Sequence, residues 1–98
     1  MTRQEVVPPE LSDNYTCSLI NFSRGSRNKF HAHTSDQILV ITSGIGIVAT
    51  ECAEREVTVG DVVLVPAGEK HWHGAGAESY MSHITIMIKG SQTTQLEE

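Results

Sequence analysis

The chain has 98 residues, of which 39% are hydrophobic, 19% charged and 5% aromatic. That length supports one domain built around one core, so we read residues 1–98 as a single domain, and the composition excludes a highly charged disordered chain. The net charge is -5, from 7 Lys+Arg against 12 Asp+Glu, which argues against a nucleic-acid or anionic-membrane surface, since both need clustered positive charge.

The N-terminus, Met1 to Glu10, is polar and carries two prolines. It has no secretory apolar core, so the expected compartment is cytoplasmic. No run approaches the ~18 apolar residues of a spanning helix. Tyr15–Asn21 is the first expected strand, and Arg24-Gly25-Ser26-Arg27-Asn28 reads as a loop. Lys29–His33 resumes an extended run that Thr34-Ser35-Asp36 breaks. Gln37–Ser43 is a strong strand, almost all β-branched or apolar. Gly44-Ile45-Gly46 is a tight-turn signal. Ile47–Cys52 follows, with Ala53-Glu54 as a hairpin tip. Arg55–Val59 and Val62–Val65 flank a turn at Gly60-Asp61, and Pro66-Ala67-Gly68 ends the second of them. His71–Gly74 and Tyr80–Lys89 complete the set. Strands this short, with turn signals this regular, predict an all-β sandwich or barrel. The expected barrel core spans about residues 15–89, with the first ten residues and the tail Ser91–Glu98 flexible or dimer-linked. Cys17 and Cys52 are too far apart for a CxxC pair and read as free strand thiols.

Four of the five histidines form two H-x-H pairs, His31-Ala32-His33 and His71-Trp72-His73. On a strand, residues i and i+2 face the same side, so each pair can point two imidazoles into one space. Gln37 has a parity compatible with the same face. A lone histidine is an ordinary polar strand residue. Two same-face pairs instead suit a metal site, because neutral imidazole is the commonest protein metal ligand.

The spacings are Gly25-x5-His31-x-His33-x3-Gln37-x6-Gly44 and Gly60-x5-Pro66-x-Gly68-x2-His71-x3-Ala75. These resemble the two motifs of the cupin superfamily, over roughly Ser18 to Ile88. Gln37 stands where the family has Glu, and Ala75 where it has Asn. A narrower likeness lies in Lys70-His71-Trp72-His73-Gly74-Ala75 followed by Met81-Ser82-His83-Ile84, together with Gln37. It resembles the small cupins related to carboxymuconolactone decarboxylase, some of which are manganese-dependent hydroxynitrile lyases. The resemblance implies a small antiparallel double-stranded β-helix, the jelly-roll barrel. It also implies a divalent transition metal held by His31, His33, Gln37 and His71. Manganese is the expected ion, with Fe, Ni, Co or Zn as alternatives, since nitrogen and oxygen donors alone do not choose among them. The glycines of the motifs read equally well as plain turn formers.

Gln in place of Glu leaves four neutral donors, so the site keeps the full charge of the ion. That strengthens Lewis acidity and disfavours a ferric state. His73 shares a face with His71, and His83 lies on the last strand. Each is either a hydrogen-bonded core histidine or a general base beside the metal. Asn28 is either a polar contact at the pocket mouth or a loop residue. Trp72 alternates with the histidines and should face away from the cavity. The leading expectation is a metal-dependent lyase acting on a small hydroxy or carbonyl compound, with cyanohydrin cleavage as its concrete form. The alternatives are an Fe(II)-dependent cupin dioxygenase and a non-enzymatic metal- or ligand-binding module. Exposed sheet edges predict a homodimer, or a tetramer.

Overall fold

A computed structural model describes all residues, Met1–Glu98. Nine strands and no helix make up the chain. They are β1 (Thr2–Val7), β2 (Tyr15–Phe22), β3 (His31–His33), β4 (Gln37–Thr50), β5 (Glu54–Thr58), β6 (Val62–Val65), β7 (His71–Ala75), β8 (Met81–Ile88) and β9 (Thr93–Gln95). Every pairing is antiparallel, in the order β1-β2-β8-β4-β7-β3-β9, with β5 and β6 also on β4. This is the curled antiparallel sheet expected of a double-stranded β-helix. No helix is long and apolar enough to cross a membrane.

The long strand β4 belongs to both faces of the barrel. Gln37 to Gly44 pairs with β6 and β8, and Ile45 to Thr50 pairs with β5 and β7. The Gly44-Ile45-Gly46 signal therefore marks a corner inside one strand, not the tight turn expected between two. The register slips between Ile41 and Ser43, and Gly44 takes φ +76°. A bulge followed by a left-handed glycine is how a strand leaves one sheet and enters another. Turn and corner share the same signal because both need a positive φ that glycine alone adopts without strain.

Both ends of the chain, expected to be flexible or dimer-linked, carry short strands. Thr2 to Val7 is laid along β2, and Thr93 to Gln95 along β3. Both are edge strands with almost wholly exposed side chains. Their backbones hold them, which apolar alternation cannot reveal. Cys17 and Cys52 are free as expected, but Cys52 lies exposed in the bend after β4 and not in a strand.

The apolar core is Ile20, Phe22, Ile41, Val57, Ala75 and Met81. It is small because much of the interior is imidazole: all five histidines are among the 19 buried residues. Phe22 joins the two regions, its ring centroid 5.7 Å from that of His73 and 5.9 Å from that of His83. Trp72 is half-buried on the other side of β7, under the Arg27 guanidinium at 4.4 Å.

Candidate metal centre

Strand parity brings the histidines together as the sequence requires. His31 pairs directly with His71 across β3 and β7, and His33 follows two residues on. The ring centroids lie 4.3 Å apart for His31 and His71, 4.9 Å for His31 and His33, and 5.2 Å for His33 and His71. Gln37 opens β4 and is buried. It reaches the same space from the opposite sheet.

The hydrogen bonds fix which ring nitrogens face inward. His31 Nδ1 donates to the Lys29 carbonyl at 2.5 Å, and His71 Nδ1 to the Glu69 carbonyl at 2.9 Å. His33 Nδ1 meets Thr93 Oγ1 at 2.8 Å. With Nδ1 carrying the proton, Nε2 of His31 and His71 presents a lone pair. His33 Nε2 is buried with no partner. Gln37 Nε2 donates to Thr85 Oγ1 at 2.9 Å, which turns Oε1 toward His71. Oε1 then stands 3.1 Å from His71 Nε2. Both atoms are acceptors, and no proton lies between them while the ring is neutral. Burial holds His71 below its ordinary pKa, so the neutral ring is favoured. A cation would satisfy both atoms: ligands at ~2.1 Å from one ion, at right angles, are about 3 Å apart. The orphaned His33 nitrogen points to the same answer.

His73 is also close. His31, His71 and His73 offer ring nitrogens within 4.8 Å of one another. Its bonds differ, however. His73 Nδ1 lies 3.2 Å from His83 Nε2, and Asn28 Nδ2 donates to its ring at 3.3 Å. Its backbone N–H donates to Asn28 Oδ1 at 2.9 Å. His73 is thus tied to Asn28 and His83, whereas His33 has a nitrogen to spare. That contrast favours His33 as donor and leaves His73 and His83 as a separate dyad. The close fit of the Asn28 loop rests on Gly74, where a Cβ would stand 2.4 Å from the Ser26 carbonyl oxygen and 2.5 Å from Arg27 Cα.

A cavity of about 400 Å³ opens onto this cluster. His31, His33, Gln37, His73, His83 and Asn28, all singled out from sequence, line it; His71 does not. Sequence reasoning missed Thr85, which aims Gln37, and Thr93, which holds His33. It also missed Arg3 and Lys29 at the mouth. The parity of Thr85 with His83 was the one available signal.

Burial lowers four of these imidazoles. His33 falls to about 4, from desolvation first and then the charges of His31 and His71. His83 also falls to about 4, mainly from desolvation. His71 is lowered and His73 well lowered, both chiefly by burial. The unfolded chain then binds more protons than the folded chain between the ordinary histidine value and about 4. Stability is therefore complete above the unfolded pKa and falls as pH drops through that window. The urea midpoint of the metal-free chain should decline steadily from pH 7 to pH 5. A flat midpoint over that range would contradict the neutral cluster.

The comparisons agree with this geometry. The cupin domain family matches residues 18–87. The (R)-mandelonitrile lyase of Granulicella tundricola is 41% identical over 68 residues, covering 68% of this chain and 52% of that protein. The acireductone dioxygenase of Granulibacter bethesdensis is 31% identical over 67 residues, covering 61% of this chain and 37% of that protein. The chain thus spans about half the length, or less, of these curated relatives. A cupin-like protein from Thermotoga maritima superposes with TM-score 0.91 at 29% identity, covering 98% of this chain and 75% of that one. A curled antiparallel barrel, two histidine pairs gathered in one cluster and a family match over most of the strands lead to one assignment: the chain belongs to the cupin domain family.

Proposed function

We propose that the chain is a metal-dependent lyase of hydroxynitrile-lyase type, acting on a small hydroxy or carbonyl compound. The observation that carries this reading is the facing pair of acceptors, His71 Nε2 and Gln37 Oε1, 3.1 Å apart beside the unpartnered His33 Nε2. The donors are Nε2 of His31, His33 and His71 with Oε1 of Gln37. Manganese is the first candidate ion, ahead of iron, nickel, cobalt and zinc. A divalent cation held there would supply Lewis acidity toward a substrate oxygen. The similarity to the mandelonitrile lyase supports the concrete form, cleavage of a cyanohydrin to an aldehyde and cyanide.

In that form His73 and His83 handle the proton. Burial keeps both rings neutral, the form able to accept one. A ring nitrogen of the dyad takes the hydroxyl proton as the oxygen lone pair closes the carbonyl. The C–C bond breaks with its electron pair leaving on cyanide. The imidazolium then returns the proton to cyanide, so no further reactant is needed. Asn28 orients His73 through the bonds at its ring and backbone. The chain is further proposed to work as a homodimer. The outer surface of β2, β8, β4 and β6 exposes Tyr15, Ile88, Ile38, Leu64 and Val62, an apolar set that a second copy would cover.

The manganese-loaded chain should release benzaldehyde from racemic mandelonitrile, and His73→Gln should lower the rate at unchanged metal content by roughly 10²-fold or more. Release no greater than that of a His71→Ala control would overturn the lyase reading. The weaker similarity to the acireductone dioxygenase favours a second reading, an Fe(II) oxygenase. The four neutral donors weigh against it, because they disfavour the ferric state. Substrate-dependent oxygen consumption by the iron-loaded chain would decide for it.

A further inference from the structure

The charged groups around the cavity are unevenly distributed. Its 16 lining residues include Arg3 and Lys29 and no Asp or Glu, in a chain whose net charge is -5. Arg3 lies opposite Ile20 on β2, and Ile20 lies opposite His83 on β8. Arg3 therefore shares the inner face of the sheet with His83, at the edge strand that forms the rim. Lys29 comes from the other sheet, in the loop whose carbonyl holds His31. Both residues are exposed. Neither is engaged by a carboxylate, whereas Arg24, Arg27 and Lys70 are paired with Glu78, Glu97 and Glu51. Glu5 shares the inner face two residues along β1, opposite Ser18, but does not line the cavity.

We propose that Arg3 and Lys29 form an anion-recognition end of the cavity, and that the substrate is a small hydroxy or oxo compound bearing a carboxylate. This rests on the reading of the cavity as a substrate site. Two cations from opposite sheets, with no acid between them, hold an anion at the rim and steer it inward. The planar guanidinium of Arg3 suits a carboxylate in particular, through paired N–H donors. The reacting hydroxyl or carbonyl then points toward Gln37 and the histidines. A volume of about 400 Å³ fits a ligand of that size.

The test compares mandelate with mandelamide, which keeps the hydroxyl and ring but lacks the charge. Binding is measured by calorimetry to the manganese-loaded and the metal-free full chain. Mandelate should bind roughly tenfold more tightly in both forms, as expected of a charge-assisted contact. The Arg3→Gln/Lys29→Gln variant should bring the ratio near one in the metal-free chain. An Arg55→Gln/Lys89→Gln variant makes the same change in net charge away from the cavity and should leave the ratio unchanged. Higher salt should narrow it. A preference that survives the Arg3/Lys29 variant, or no preference in the metal-free parent, overturns the proposal. Aldehyde release from neutral mandelonitrile is a separate readout, so the lyase reading and the anion reading can fail independently.

Discussion

His71→Ala is expected to reduce metal content from about one ion per chain to near zero at micromolar free metal, while the barrel still folds. Four protein donors share a binding free energy on the order of 10–16 kcal/mol in well-formed sites. Losing one donor therefore weakens affinity by about 10²–10³-fold. His71 is the donor with the clearest claim. Its Nδ1 is fixed by the Glu69 carbonyl, and its Nε2 faces Gln37 Oε1. Removing the ring also leaves Gln37 Oε1 without the group it faces. Elemental analysis after reloading with manganese reads the outcome, and a melting curve checks the fold. His33→Ala and His73→Ala, measured beside it, separate the two histidine sets. Loss in the first and retention in the second would support His31, His33 and His71 as the imidazole donors. The reverse would place the ion among His31, His71 and His73. Full occupancy in all three variants would overturn the centre.

Part of that centre was legible in the sequence for a simple physical reason. The side-chain period of a strand is two residues, so His31 and His33 had to share a face, as did His71 and His73. Nothing about tertiary packing was needed to see this. Gln37 lies beyond a break; its parity was compatible with the same face, and the resemblance to the cupin motifs made it a candidate ligand. Of the residues around these donors, Thr85 had only its parity with His83 as a signal, and Thr93 and Arg3 were not legible. Thr93 sits on β9, whose three side chains are all exposed, and Arg3 on β1, where five of six are exposed. A strand held by its backbone at a sheet edge carries no apolar alternation, so a polar terminal segment and an edge strand look alike as text. The Ser18–Ile88 span of the resemblance also stopped short of both. The sequence therefore exposed the clustered histidines and concealed the rim that surrounds them.

Gly44→Ala is expected to lower stability by about 3–5 kcal/mol, among the largest effects of any single methyl in this chain. Two costs add. The first is conformational: Gly44 has φ +76°, which an L residue adopts at about 1–2 kcal/mol. The second is steric. A Cβ would lie 1.9 Å from the Tyr80 carbonyl oxygen and 2.7 Å from its carbon, and both are backbone atoms that cannot rotate away. That same oxygen accepts the Ile45 N–H at 3.1 Å, so relieving the clash breaks the bond that closes the corner. The shift would reach Met81, which is fully buried in the core. Gly60→Ala supplies the control. Gly60 has φ +93°, and nothing lies within 4 Å of its Cβ position, so it should show the conformational cost alone. Urea midpoints of the two variants should differ by the steric part, and equal losses would contradict the account of the corner. The consequence extends to function, because this corner folds Gln37, paired with β6 and β8, against His71 on β7. A chain that tolerates Gly44→Ala by opening the corner should lose metal even with every proposed donor residue in place. The 3.1 Å approach of the two acceptors depends on how sharply β4 bends.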